Sequence, residues 1–329
     1  MGLQELQITV LGATGTGKTT LLTAMYEQFE NTIKDVDLEL TPDDETSWTL
    51  QEKLIELKSC LRVFESKGRV GLEGTEELSG PGTLPPFKFG LGKKHKSPSL
   101  QLSFRDYPGD YHAKDATKEE RAYVNTILKQ SAAVLIPIDA PALMEEKGRY
   151  HEELNRPQQI KDIFKASYKG LDSPKLVIFA PVKCEKYLQD ETAARELSRR
   201  VSEEYKGLLE YLKSEGLRPW IASVITPVQT VGGLIFSRIE PDKDGIPEFY
   251  FRQIRHGAEY NPKDSEQPLR YLLSFLLKLH LYQRNSGFFS FIRDWIGSDE
   301  HLKQAVMKFS RGCKDTDGFT VLAGKKWLS

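Results

Sequence analysis

Gly12-Ala-Thr-Gly-Thr-Gly-Lys18-Thr19 lies between an apolar run, residues 6–11 (LQITVL), and a segment in which Leu21, Leu22, Met25 and Phe29 recur at helical spacing. The octet fits GxxxxGK[ST], and chemistry explains the spacing. Glycines let successive backbone N–H groups curl around a polyphosphate, a lysine reaches its outer phosphates, and the neighbouring hydroxyl suits Mg²⁺. The helix that follows, read over residues 18–29, points its positive end at the same anion. Gly12, Thr14, Gly15, Thr16, Gly17, Lys18, Thr19 and Thr20 are the expected polyphosphate contacts, with Lys18 as a catalytic cation and Thr19 as a Mg²⁺ ligand.

Outward from this loop the chain alternates. Residues 36–40 read as a strand, 45–64 as an amphipathic helix through Leu50, Leu54, Leu57, Leu61 and Phe64, and 66–86 as loop. Residues 87–91 and 100–104 read as a hairpin around a solvated basic tip, Lys93-Lys-His-Lys96. Buried strands are expected at 132–138, 175–181 and 220–226, helices at 156–168, 192–212 and 268–282, and a second hairpin at 234–254. This order predicts an α/β fold, a mostly parallel sheet with helices on both faces. The expected organisation is one domain over residues 1–285, with an insertion at 31–97 and a hairpin insertion at 234–254, then a C-terminal extension at 286–329. In that extension Phe288, Phe291, Ile292, Trp295 and Ile296 can share one helical face for docking on the domain or a protein partner.

Across 329 residues, Lys+Arg number 46 and Asp+Glu 47, without the basic excess of a nucleic-acid binder. With 39% hydrophobic and 10% aromatic residues the chain can bury a globular core. Its three cysteines are far apart and odd in number, so neither a disulfide framework nor a CxxC metal site is expected. The six histidines form no ligand-spaced pair. No signal-peptide pattern opens the chain and the longest apolar run is too short to span a bilayer, so a cytoplasmic location without membrane association is expected.

Two further motifs choose among polyphosphate chemistries. Asp106 ends the second hairpin strand and Gly109 completes DxxG. A strand-end carboxylate there holds Mg²⁺ through water, and the glycine N–H senses a γ-phosphate. After the strand KLVIFAP comes Val182-Lys183-Cys184-Glu185. In [NT]KxD the carboxylate accepts from guanine N1 and N2 while the lysine stem covers the ring. Lys183 is in place, Glu185 stands in for Asp with one more methylene, and Val182 departs from Asn or Thr. Thr230, in Thr226-Pro-Val-Gln-Thr-Val-Gly232, lies where a loop offers a backbone N–H to the base.

In this order the motifs resemble the TRAFAC-class P-loop GTPases, and Asp-Tyr-Pro-Gly-Asp110 with AAVLIPIDA is similar to their bacterial double-GTPase-type branch. The resemblance spans residues 6–282. It implies a P-loop NTPase fold with a Ras-like core, GTP/GDP and Mg²⁺ as cofactors, slow hydrolysis, and switch regions read by protein partners, with a place in multi-component bacterial systems by association. A switch threonine that ligates Mg²⁺ is expected at Thr83, with Thr75 as the alternative. The glutamine that orients attacking water in small GTPases would fall at Asp110, so Asp110 and His112 are the candidates for that task. Leu78-Ser-Gly-Pro-Gly82 looks like an ABC signature, but Pro81, Pro85 and Pro86 oppose the helix that an ABC ATPase needs there. The sequence thus points to a Mg²⁺-dependent GTP-hydrolysing switch. A GTP-binding module without appreciable turnover and an ATP-dependent P-loop enzyme are the alternatives.

Overall fold

The computed structural model describes residues 3–33, 36–67, 85–106, 117–243, 246–282 and 300–328. Its frame is an eight-stranded sheet in the order β11-β8-β7-β6-β1-β5-β4-β2. The centre is parallel: β1 (Glu5–Val10), β5 (Leu100–Asp106), β6 (Ala133–Asp139), β7 (Lys175–Val182) and β8 (Ile221–Ile225). β6 and β7 are buried along their whole length, as AVLIPID and KLVIFAPV require of strands covered on both faces. Side chains alternate between two cores. Leu135, Leu176 and Ile178 face one side, with α1 (Lys18–Thr32) and α9 (Gln267–Tyr282). Val134, Ile136, Val177 and Phe179 face the other, with α3 (Lys118–Gln130), α6 (Pro157–Ser167), α7 (Glu191–Glu204) and α8 (Lys206–Leu212). This is the P-loop NTPase α/β fold.

The antiparallel edges come from the segments flanking this centre. β4 (Phe87–Gly92) pairs with β5 from Phe87↔Phe104 to Leu91↔Leu100, the expected hairpin, and β2 (Glu39–Pro42) adds outside it. The basic tip is solvated at His95 and Lys96, as expected, while its first two lysines also contact the chain. Lys94 Nζ donates to the Ile33 carbonyl (3.1 Å), and Lys93 pairs with Asp37 (3.2 Å). The charged helix read over 192–212 is two helices that break at Tyr205 (φ −95°, ψ 12°), because packing buries that ring at the join.

α2 (Asp44–Cys60) starts on the Asp43 carboxylate, which accepts from the Thr46 N–H at 2.9 Å. It ends four residues earlier than the periodicity suggests. The chain then turns into β3 (Glu65–Lys67), and Phe64 is exposed rather than buried. β3 pairs with β10 (Pro247–Gln253), and β10 with β9 (Leu234–Pro241), to make a separate three-stranded sheet. Lys67–Glu248 (3.0 Å) and Arg238–Glu65 pairs cross it, and Gln253 Nε2 donates to the Leu61 carbonyl at 2.6 Å. The part of 31–97 from α2 to β3 and the hairpin at 234–254 therefore build one substructure, with Leu57, Leu61, Phe236, Phe249 and Phe251 in a small core that Ala142 and Val231 complete.

Past residue 300 the chain is part of the main core. The helix Glu300–Ser310 lays Leu302, Val306 and Phe309 against α9, with the Phe309 ring edge-on to Phe29 at 5.0 Å. β11 (Thr320–Ala323) adds antiparallel to β8, and Ser274 Oγ donates to the Leu328 carbonyl at 2.6 Å. Among the described residues no helix is long and apolar enough to cross a membrane.

Candidate functional site

The loop between β1 and α1 has the shape of an anion cradle. Gly15 (φ +82°) and Gly17 (φ +96°) take left-handed conformations that only glycine adopts without strain, and Gly17 caps α1 with its N–H groups facing the loop. Thr16 Oγ1 closes the turn by donating to the Ala13 carbonyl (2.8 Å). Lys18 is buried and folds back over the loop, where Nζ donates to the Gly12 carbonyl at 3.1 Å. The β1–β5 register sets Asp106 beside Val10, which brings its carboxylate within 3.5 Å of the Lys18 ammonium. Thr19 follows Lys18 in the first turn of α1, and Thr20 is buried behind it.

One strand further along the sheet, register does comparable work. Asp139 at the end of β6 lies opposite Val182 at the end of β7, so the next residue, Lys183, reaches it: Nζ to Oδ2 is 2.5 Å. Asp139 is 3% exposed. Its other carboxylate oxygen accepts from the Ala142 N–H (2.9 Å) and starts α4 (Ala140–Met144). Its backbone is held by Asn155 in α5 (His151–Asn155), whose Oδ1 accepts from the Asp139 N–H (2.7 Å) and whose Nδ2 donates to the Asp139 carbonyl (3.1 Å). The same amide nitrogen lies 2.9 Å from His151 Nδ1. Burial, aided by the Arg200 charge, pushes His151 down to about 4. The ring is therefore neutral at physiological pH, with Nδ1 accepting and the proton on Nε2.

Lys183 itself sits at φ +59°, and the tight turn after it swings Glu185 inward. Glu185 Oε1 accepts two backbone N–H bonds, from Val231 (2.8 Å) and Gly232 (3.0 Å), and so fastens the loop after β8 to the loop after β7. Gly232 is obligatory there: φ is +73°, and a Cβ would lie 1.7 Å from the Asn261 carbonyl oxygen. Burial raises the Glu185 carboxyl above its ordinary value, and the two loop N–H groups oppose that rise. Cys184 is fully buried with its thiol pushed well up, which makes it inert.

These elements enclose a pocket lined by Thr20, Lys183, Glu185 and Thr230, by Lys53 and Cys60 of α2, and by Phe251 of β10. A smaller hollow on the other side of Lys183 is lined by Thr14, Gly15, Thr16, Asp139 and Phe249. Thr230 is 1% exposed and its hydroxyl has no hydrogen-bond partner among the described residues, a costly arrangement unless a polar ligand completes it. The structure thus brings Thr20, Lys183, Glu185 and Thr230 around one cavity beside the phosphate loop. Thr83, Gly109, Asp110 and His112, with Thr75 and the apolar stretch 287–297, lie outside the described residues. Among the described residues no group of three or more His, Cys, Asp or Glu side chains is assembled for a metal.

Several site residues escape a reading of motifs. Phe251 walls the pocket and Phe249 the smaller hollow, both from a hairpin more than 60 residues after Glu185. Asn155 acts through the backbone of Asp139. Lys53 has a visible signal: it shares the buried stripe Thr46–Leu50–Lys53–Leu57, where a lysine is out of place.

A family model for Double-GTPase 2 matches residues 7–215, which include the phosphate loop, Asp106, Asp139, Lys183 and Glu185. The chain belongs to the Double-GTPase 2 family. Similar solved structures include the S. cerevisiae Ski7 GTPase-like domain bound to GTP (18% identity, 68% of this chain, 43% of that chain, TM-score 0.40). Sup35 complexed with GDP (11%, 70%, 38%, 0.31) and with GMPPNP (12%, 70%, 38%, 0.34) are others. The chain spans about two fifths of the length of these structures. A comparison with curated proteins found no match.

Proposed function

We propose that the chain is a Mg²⁺-dependent switch that binds GTP, hydrolyses it to GDP and phosphate, and signals to protein partners. The supporting observation is the cavity beside the phosphate loop, in which a buried carboxylate, a buried lysine and an unpartnered threonine hydroxyl converge. A guanine base meets those groups with donors at N1 and N2 for Glu185, a ring face for the Lys183 stem, and hydrogen-bonding edges for Thr230. The β- and γ-phosphates lie in the cradle of Gly12, Thr14, Gly15, Thr16 and Gly17, with Lys18 turning from the loop carbonyls to the anion.

The donor set fits Mg²⁺. Thr19 and Asp106 are hard oxygen donors flanking Lys18, and an ion held by one or two protein oxygens, water and substrate phosphates needs no larger protein cage. When bound, Mg²⁺ neutralises charge on the phosphate oxygens. Thr83 is the further ligand in this proposal, Gly109 senses the γ-phosphate, and Asp110 or His112 orients water. Loops 75–86 and 107–116 and the stretch after residue 286 are the surfaces offered to partners, in a cytoplasmic and bacterial setting. Asp110, where a glutamine would orient water, favours a second reading in which GTP is held with negligible turnover. Val182 in place of Asn or Thr keeps ATP in the comparison.

Side-by-side titration of labelled GTP and ATP with Mg²⁺ tests the proposal. Tighter GTP binding, abolished by Lys18→Ala, is expected, and phosphate release measured on the same samples separates switch from binding module. Unchanged GTP affinity in Lys18→Ala would remove the site, and equal or tighter ATP binding would remove the guanine assignment.

A further inference from the structure

We infer that Lys53, contributed by α2 rather than by any nucleotide-binding motif, reads the O6 atom of guanine and sets the preference for guanine over adenine. The inference rests on the GTP reading of the pocket. Lys53 is 7% exposed and lies on the inward stripe of α2 between Leu50 and Leu57. Lysine is almost never buried on an apolar stripe without a task for its charge. Its ammonium pairs with Glu56 at 2.8 Å, and Glu56 is itself 29% exposed on the rim. Lys53 lines the same pocket as Thr20, Lys183, Glu185 and Thr230. Burial depresses its proton affinity, and the hydrogen bond to Glu56 opposes that fall.

The pocket's donors are unevenly committed. Guanine presents O6, N1–H and the N2 amine in a row along one edge, so a carboxylate at N1 and N2 leaves O6 beside it requiring a donor. The Val231 and Gly232 N–H groups are both directed to Glu185 Oε1. Lys183 is directed to Asp139. Lys67, which also lines the pocket, is half exposed and paired with Glu248, whereas the Lys53 ammonium is buried and, with three N–H donors, can serve an acceptor in the pocket as well as Glu56. Adenine reverses the pattern: its N6 amine would face an ammonium and its N1 lone pair a carboxylate, leaving buried polar groups mismatched on both sides.

The test is competitive displacement of labelled GTP by unlabelled GTP, ATP and 2-aminopurine riboside triphosphate, which keeps the 2-amine but lacks O6 and, with it, the proton on N1. The wild-type chain, Lys53→Met and Lys53→Arg are compared. For Lys53→Met, GTP affinity should fall roughly tenfold or more, the range of a lost charged hydrogen bond, while the O6-less analogue changes by less than about twofold. Lys53→Arg should recover part of the loss. The analogue serves as the folding control, because a variant that only loosens the pocket weakens both ligands alike, and that outcome overturns the inference. A wild-type chain that prefers GTP, with the preference intact in Lys53→Met, overturns it while leaving the GTP reading standing. A wild-type chain without GTP preference removes both.

Discussion

Asp139→Asn removes one negative charge and almost no volume from a carboxylate that is 3% exposed. Asparagine keeps an oxygen for the Ala142 N–H, so the cap of α4 survives and the change isolates the Lys183 pair. Breaking one side of a buried ion pair costs about 3–5 kcal/mol, because the other charge is left uncompensated. The Lys183 side chain is 15% exposed and can recover some hydration, so the lower end, about 3 kcal/mol, is expected. Asp139→Ala also loses the cap, worth about 1 kcal/mol more. Lys183→Met alone strands the carboxylate, but in the double variant neither charge is stranded. The double-mutant cycle should therefore show a coupling of about 2 kcal/mol or more. Urea unfolding of nucleotide-free protein, with midpoints and slopes for all four species, provides the measurement. Additivity within about 0.5 kcal/mol would refute the claim that the two loops are joined through this pair.

Three further outcomes are expected. His151 is held at about 4 in the fold against about 6.5 unfolded, so the unfolded chain takes up its proton first. Stability should fall by roughly 3 kcal/mol as pH drops from 6.5 to 4, and His151→Phe should flatten that limb of the denaturation curve; equal slopes would count against a neutral buried ring. Glu185→Gln keeps an oxygen for the Val231 and Gly232 N–H groups and removes a charge that burial disfavours. Because its folded pKa is raised, that carboxyl's stabilisation is complete below the unfolded value and is lost as pH rises through the folded one. The variant should melt at or above the wild-type temperature at pH 7.5 yet lose its preference for GTP, and a retained preference would remove Glu185 from base recognition. Deleting residues 300–329 uncovers Phe29 and the outer face of α9, so the shortened chain should lose its cooperative melt and bind ANS, whereas an unchanged melt would make that segment an accessory.

The loop at residues 12–19 was legible because its geometry is local. Glycine torsions, the lysine and the hydroxyl are consecutive in the chain, and the strand and helix that flank them have strong periods of their own. The parallel centre was legible for a similar reason: LVIFAP and AAVLIPI are apolar at every position, which suits a strand covered on both sides. Periodicity failed where tertiary contacts override it. Phe64 completes a helical stripe in sequence, yet the chain leaves the helix at Cys60 to pair β3 with β10, and the ring ends exposed. Tyr205 sits inside a continuous charged pattern, yet the helix breaks there to bury it.

By itself the sequence determined that a GxxxxGK[ST] loop joins a strand to a helix in an α/β chain and that Asp106, Lys183 and Glu185 follow in motif order. It assigned residues 31–97 and 234–254 to separate insertions and residues 286–329 to an extension. Only the tertiary structure decided that the two insertions meet in a three-stranded sheet, that their Phe251 and Lys53 wall the pocket beside the cradle and Phe249 the hollow next to it, and that residues 300–328 close the main core. The physical reason is range. A turn or an amphipathic face is encoded in neighbouring residues, whereas Lys67 opposite Tyr250, or Lys183 against Asp139, depends on strand register between segments far apart in the chain.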